Sequence, residues 1–339
     1  MSTSELSSAA PPSATSAPET IARFVVEAAV SAPSVLNTQP WWFYGADHEI
    51  GMHADDERKL PVADPDGREM LISCGGALLN ARVALRYIGI VPIVKILPEP
   101  RPTTLVAKIT WTETAPPTEH ERELFAEIAR RRTHQGGFDA EPLPEGLLAC
   151  LIGEAAKERA TLRIMSDEAQ RTALAALVAA GDFAIRRDPA RAREQQRWSS
   201  RPGSSRRDGV PSTAYPARPD KIEPNFPARD YARGRGWGLP PTGEGQPHRE
   251  AGAVAVLTTD TDRPEDWVRA GQALQRTLLL AASCGVTAAL HTQPLEVPQL
   301  RDFIFEQLSD GAYPQLVLRL GVTSQSAASV RRAVDDVLF

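Results

Sequence analysis

Two short stretches carry most of the side chains that could do chemistry. The first is S-A-P-S-V-L-N-T-Q-P-W-W-F, Ser31 to Phe43, where Ser34, Asn37 and Gln39 alternate with two prolines and precede a tryptophan pair. Pro33 and Pro40 bias Ala32 and Gln39 toward extended backbone, so the hydroxyl and amide groups stand on a stiff loop. Rigid hydrogen-bonding groups lose little entropy on binding, which suits a planar heteroaromatic ligand with a polar edge. The same residues also fit a plainer role: a helix C-terminal turn in which Ser and Asn cap backbone groups while Trp41 and Trp42 fill core. The second stretch is R-R-R-T-H-Q-G-G-F, Arg130 to Phe138. Arginine forks match phosphate oxygens in pairs, so Arg131, Arg132, Thr133 and Gln135 are candidate anion ligands. Basic residues near a helix C-terminus also complement its dipole. That explains one or two arginines more readily than three with a threonine. Arg331 and Arg332 form another basic pair, uninformative alone.

Other chemistries lack their residues. There is no Gly-rich phosphate loop of either usual kind, no G-x-S-x-G and no Cys/His arrangement for a covalent nucleophile. The six histidines are scattered without an H-x-x-x-H pair, so no metal site is expected. Cys74, Cys150 and Cys284 are odd in number and far apart. They form no disulfide framework, which fits a reducing cytoplasm. A net charge of −5 and a pI near 5.8 argue against a chain built to coat nucleic acid. The most apolar long window, Met70 to Leu97, contains Asn80, Arg82, Arg86 and Lys95, too costly for a bilayer centre, so no membrane span is expected.

Elements must hold the two stretches in place. Periodicity predicts a helix over Glu19–Val30, short strands at Trp42–Tyr44 and Ile50–His53, a turn at Asp64-Pro-Asp-Gly67, and a helix over Glu69–Tyr87 that is apolar almost all round. Strands follow at Val91–Leu97 and Leu105–Trp111. A second cycle has helices at Glu121–Arg132, Leu147–Glu158 and Ala169–Ala180, and strands at Thr161–Met165 and Ala253–Thr258. It closes with an all-apolar helix, Asp266–Ser283, and strands at Val286–His291 and Gln315–Leu320. A helix without a wet face is buried on every side. The two such helices match: G-G-A-L-L-N-A-R-V-A-L-R-Y-I-G-I from Gly75 against G-Q-A-L-Q-R-T-L-L-L-A-A-S-C-G-V from Gly271. Either two apolar helices coincide by chance, or the chain holds a duplicated unit whose copies pack these helices together.

Residues 1–18 are Ser/Ala/Pro-rich and read as a disordered tail. Between about Arg187 and Glu250 periodicity vanishes, and this stretch holds about a third of the 29 prolines. So long a loop is either disordered or a functional lid. Its aromatics, Trp198, Tyr215, Phe226, Tyr231 and Trp237, favour a lid that packs on something.

Ser31-Ala-Pro-Ser-Val-Leu-Asn-Thr-Gln-Pro-Trp, Asp64-Pro-Asp-Gly-Arg-Glu and Ile72-Ser-Cys-Gly-Gly-Ala-Leu together resemble the nitroreductase superfamily, and within it the Acg family. Arg131-Arg-Thr, Arg207-Asp-Gly-Val-Pro, Gln293-Pro-Leu-Glu-Val-Pro, Leu318-Arg-Leu-Gly and Arg331-Arg extend the likeness in order to the C-terminal end. The resemblance implies an α+β, FMN-binding nitroreductase-like fold, with two related halves fused in one chain that mimics a nitroreductase homodimer. The expected halves are 19–117 and 118–339, the second carrying the lid insertion 187–250. One half supplies the polar loop and the other the Arg-Arg-Thr clamp, and neither half has both. One FMN per chain, at the interface of the halves, is therefore expected.

On this resemblance Arg131, Arg132, Thr133 and Gln135 meet the phosphate, joined by Arg331 or Arg332. Pro33, Ser34, Val35, Asn37 and Gln39 contact ring and ribityl chain, and Ala289, Leu290 and His291 pass backbone near N5. Gln135 stands where a basic residue is common, and Leu36 where the family often has His. Flavin carries the redox chemistry itself, so no catalytic side chain is named. The expected partners are NAD(P)H and a small-molecule acceptor, with no nucleic acid and no membrane. A lid over the flavin would weaken turnover. A flavin store or sensor without a substrate is the alternative of another class. A third reading, RNA or membrane-surface contact through the Arg-rich stretch, competes with plain solvation of a charged loop.

Overall fold

The structure is a computed structural model and describes residues 10–100, 103–217, 221–231, 235–239, 249–325 and 329–339. In chain order, α1 is Pro18–Ala29, β1 Trp41–Ala46, β2 Glu49–Ala54, α2 Arg68–Tyr87, β3 Ile90–Ile96, β4 Leu105–Thr114 and α3 Glu119–Ile128. There follow β5 (Thr133–His134), α4 (Leu147–Ala156), β6 (Thr161–Ile164), α5 (Glu168–Arg187), α6 (Pro189–Arg197), β7 (Ile222–Glu223) and β8 (Arg249–Glu250). The last elements are β9 (Ala253–Thr259), α7 (Pro264–Ser283), β10 (Thr287–His291), α8 (Pro298–Gln307) and β11 (Tyr313–Gly321). They form two compact units, each discontinuous in sequence. Unit 1 comprises Met1–Arg131, Arg263–Ser283 and Arg331–Phe339, and unit 2 comprises Arg132–Asp262 and Cys284–Val330.

Unit 1 packs α1, α2, α3 and α7 with an antiparallel sheet of order β1-β2-β4-β3. α1 opens on Pro18 and buries Ile21, Val25, Ala28 and Ala29 along one stripe. α2 is buried nearly throughout, as its lack of a polar face requires. Its start is capped by Asp64, whose carboxylate accepts the N–H groups of Glu69 (3.1 Å) and Met70 (2.9 Å), with Gly67 at φ 78° in the turn. The two matched helices, α2 and α7, touch through backbone. A Cβ on Gly75 would lie 2.1 Å from the Val268 carbonyl oxygen, and one on Gly271 would lie 1.9 Å from that of Ile72. Two amide side chains pair in the contact. Gln275 Nε2 donates to Asn80 Oδ1 at 2.8 Å, and Asn80 Nδ2 donates to the Ala28 carbonyl at 2.9 Å.

Unit 2 is built on a five-stranded sheet, β5-β10-β11-β9-β6, antiparallel except for the β5–β10 pair. Met165, Leu174, Val178, Val254, Val256, Leu295, Ile304 and Val317 make its core.

Local departures from the expected elements have physical reasons. The helix expected to reach Arg132 ends at Ile128, so the basic run lies beyond it. α5 continues past Ala180 to Arg187, where Asp188 caps a further helix, α6, inside the aperiodic stretch. α6 is polar except for its alanines and offers no apolar period to detect. α8 starts at Pro298 and buries only Ile304 among its residues. Residues 1–9 of the expected tail lie outside the described residues, and Ser13–Ser16 close a turn through Ser16 N–H to the Ser13 carbonyl at 3.0 Å.

Candidate functional site

The polar loop of unit 1 leaves α1 at Val30 and runs to β1 through backbone that ordinary residues avoid. Leu36, Asn37 and Gln39 have φ of 46°, 53° and 51°. Each costs about 1 kcal/mol relative to right-handed or extended backbone. Surrounding groups hold this shape. Ser34 Oγ accepts the Gln39 N–H at 3.0 Å, and Ser73 Oγ accepts the Val35 N–H at 3.2 Å while donating to the Glu69 carbonyl. Arg58 donates to the Thr38 carbonyl at 2.9 Å, and the Cys74 thiol donates to that of Pro40. Burial pushes the Cys74 thiol far up, so it stays protonated and takes no nucleophilic part.

The basic pair from the chain's far end reaches this loop. Arg331 donates to Asn37 Oδ1 (3.1 Å) and to the Ser31 carbonyl (3.3 Å). Arg332 donates through its main-chain N–H to Gln39 Oε1 at 2.8 Å, and through its guanidinium to the carbonyls of Gln39, Trp41 and Asp336. The tail beyond pairs with β1: Phe43 N–H donates to the Val337 carbonyl, and Phe339 N–H to the Phe43 carbonyl. Trp41 is fully buried, whereas Trp42 stacks on His53 with centroids 3.8 Å apart.

In unit 2, Thr133 and His134 form β5 and pair with Ala288 and Ala289 of β10. The ladder stops there, so Leu290 and His291 continue past the end of β5. Arg132 lies next to β5, and burial lowers its pKa from the ordinary arginine value. The His291 imidazole is buried, and its Nε2 accepts from Arg319 Nε at 2.9 Å. Burial, then the charges of Arg319 and Arg229, hold its pKa well below 6.5, so it is neutral with the proton on Nδ1. Arg319 is itself buried between the rings of Phe138 and Phe226, each centroid 5.3 Å away, and donates to the carbonyls of Gly136 and Ala251. Nearby, Arg229 pairs with Glu296 and donates to Thr292 Oγ1 at 2.9 Å.

No family model matches the chain. A Mycobacterium tuberculosis protein (strain ATCC 25618 / H37Rv) named "Putative NAD(P)H nitroreductase Rv3131" is 34% identical over 300 residues, covering 88% of this chain and 84% of the relative. A second protein from the same strain, which bears the same description with the name acg, is 25% identical over 323 residues, or 94% of this chain and 95% of that one. The chain belongs to the Acg family of the nitroreductase superfamily. A solved nitroreductase with bound FMN from Desulfitobacterium hafniense is 14% identical, with a TM-score of 0.40 over 64% of this chain and 97% of that one.

Within this nitroreductase-like chain the expected site residues fall into two groups. Unit 1 brings Pro33, Ser34, Val35, Asn37 and Gln39 together with Arg331 and Arg332, and Arg131 is the last residue of its first segment. Unit 2 holds Arg132, Thr133 and Gln135 with Ala289, Leu290 and His291, joined by the β5–β10 pairing. Arg58, Ser73, Arg229, Glu296 and Arg319 were not singled out by type or spacing. Glu296 and Arg319 do sit in the matched motifs Q-P-L-E-V-P and L-R-L-G, which marked the positions without indicating a role. Among the described residues no cluster of three His, Cys, Asp or Glu could hold a metal, and no helix is long and apolar enough to cross a membrane.

Proposed function

We propose that the protein is an FMN-dependent oxidoreductase that takes electrons from NAD(P)H and passes them to a small organic acceptor. The observation that carries this reading is the loop Pro33–Gln39, three of whose non-glycine residues are held at positive φ by groups from α2 and the C-terminal tail. Such strain persists only where the surrounding structure holds it, and it concentrates at binding sites. The donor set fits the cofactor. Ser34 and Asn37 offer hydroxyl and amide groups for the polar edge and ribityl chain of a flavin, with Pro33 and Val35 as apolar contacts, whereas Gln39, expected beside them, is fully buried with its Oε1 on the Arg332 N–H and supports the loop from behind. Arg131, Arg132 and Thr133, with Gln135, are a phosphate-type set. Ala289, Leu290 and His291 would present backbone to the ring, since the imidazole is engaged with Arg319.

Flavin, when bound, supplies the two-electron transfer between nicotinamide and acceptor. The chain's part is to orient the ring and exclude water, and no side-chain acid or base is assigned. The nicotinamide donor is taken from the relative's name. One polar loop and one basic clamp support one FMN per chain. The Gly75–Gly271 contact supports descent from a duplicated unit. The buried aromatics of residues 187–250 support a packed lid, which would slow turnover. Three free cysteines support a cytoplasmic location.

The test is a visible spectrum of purified protein, then anaerobic addition of NADPH or NADH. The expected result is one equivalent of flavin per chain, bleached by one of the two. A protein that cannot be loaded with FMN would refute the reading. Flavin that stays oxidised would leave binding intact and refute the electron-transfer part.

A further inference from the structure

We infer that Arg332 is a positioning residue that braces the flavin-contacting loop, rather than a ligand of the FMN phosphate; the inference rests on the FMN reading above. Both arginines of the basic pair were candidates for the phosphate; Arg331 also donates to the loop, but Arg332 holds it from guanidinium and main chain together. The Arg332 guanidinium donates from Nη1 to the carbonyls of Gln39 (3.4 Å) and Trp41 (3.3 Å), and from Nη2 to that of Asp336 (2.8 Å). Asp55 lies 3.6 Å from Nη1 and balances the charge. The main-chain N–H of the same residue donates to Gln39 Oε1 at 2.8 Å. Gln39 is thus gripped at its carbonyl and at its side chain, and it is one of the three residues held at positive φ. Trp41, the next anchor, opens β1.

The brace is itself fixed. Ala333 N–H donates to Asp336 Oδ2 at 3.0 Å, closing a turn directly after Arg332. Val337 and Phe339 then pair with Phe43 of β1 at 2.7 and 3.0 Å. The distance from Arg332 to the loop is set by the strand that the loop feeds. A planar fork spans three separated carbonyl oxygens in a fixed geometry, which a lysine ammonium, with its three donors at one point on a flexible stem, does not reproduce. A phosphate ligand, by contrast, needs positive charge, which lysine supplies. The two roles therefore respond differently to Arg332→Lys.

The experiment titrates FMN and riboflavin, which lacks the phosphate, into flavin-free wild type, Arg332→Lys and Arg332→Ala. It also follows amide hydrogen exchange over Ser31–Trp42 without ligand. The expected result is that both variants weaken FMN and riboflavin by the same factor, on the order of tenfold, so the ratio of the two dissociation constants is unchanged. Exchange in the loop speeds up in both variants while α1 and α2 keep wild-type protection, which shows that the fold survives. The inference is overturned if Lys restores FMN affinity, if riboflavin affinity is untouched while that for FMN falls, or if loop exchange does not change. A wild type that binds neither flavin refutes the FMN reading and the ligand-facing role with it. The exchange data then still report whether the brace exists.

Discussion

Residues 31–41 in unit 1 and the described residues of 187–250 in unit 2 are both largely irregular, and different forces hold them. The first is short and strained. Its shape comes from hydrogen bonds that arrive from elsewhere in unit 1, from Ser73, Arg58, Arg331 and Arg332. The second is long, and its described parts are held by packing. Trp198, Tyr215, Phe226 and Tyr231 are buried, Phe226 closes one side of the Arg319 guanidinium, and Arg229 is tied to Glu296. Hydrogen bonds exchanged with water return little net stability but specify geometry, whereas burial returns stability with less specification. The loop should therefore be sensitive in ligand binding and tolerant in folding, and the packed segment the reverse.

The largest effect expected is at Arg319. Arg319→Met keeps the bulk between Phe138 and Phe226 but leaves His291 Nε2 and two buried carbonyls without their donor. We expect a loss of about 4 kcal/mol in denaturant unfolding. Arg332→Met, the matching removal in the loop, should cost about 1 kcal/mol. Equal losses would break the comparison.

Glu296→Gln comes next. It removes the carboxylate that faces the buried Arg229, with an expected cost of about 3 kcal/mol. Limited proteolysis sharpens the point. Cleavage within 187–250 should accelerate, while peptides from α1 and α2 should appear no faster. Uniform acceleration would mean that the segment is not held separately by this pair.

A pH series tests the same network through His291, which meets Arg319 from β11 and Phe226 and lies in the field of Arg229. Its folded pKa lies well below 6.5, so at pH 5.5 the unfolded chain takes up a proton that the folded chain refuses. Stability contributed by this group is complete above about pH 7 and declines as pH falls through 6.5. The expected loss at pH 5.5 relative to pH 8 is about 1.4 kcal/mol. His291→Gln, which can still accept from Arg319, should flatten the profile over that range.

The elements that sequence read well are those with one dominant period. α1 declared itself by apolar spacing and α2 and α7 by lacking a polar face, and the match from Gly75 and Gly271, which left chance or a duplicated unit open, falls where these two helices touch. The loop's polar content was equally legible, because prolines and amides stand together in few residues. Its left-handed residues were not. Leu36 carries no sequence signal for positive φ, and Gln39 is held not only by Ser34 nearby but by Arg332, nearly three hundred residues away. α6 was missed because it shows no apolar stripe, whereas α8 does place Leu300, Phe303 and Ile304 at helical spacing and was passed over. Arg319 and Glu296 were visible only as letters in motifs, since partners on other strands and loops decide whether a charge is ligand or scaffold.

The smallest effect is the most discriminating. Asp47, in the turn between β1 and β2, has φ 48°, close to the 53° of Asn37. Asp47→Gly removes the strain and nothing the structure ties to the loop, so it should raise stability by about 0.5 kcal/mol. Asn37→Gly removes similar strain but also the bond to Arg331, worth about 1 kcal/mol. The two terms nearly cancel, and its unfolding free energy should stay within about 0.5 kcal/mol of wild type. Flavin affinity should nonetheless fall by roughly tenfold, while Asp47→Gly leaves it unchanged. Paired denaturation and FMN titrations on these variants separate strain kept for a ligand from strain that merely closes a turn. Unchanged FMN affinity in Asn37→Gly would place the loop with ordinary turns and remove the observation on which the flavin reading stands.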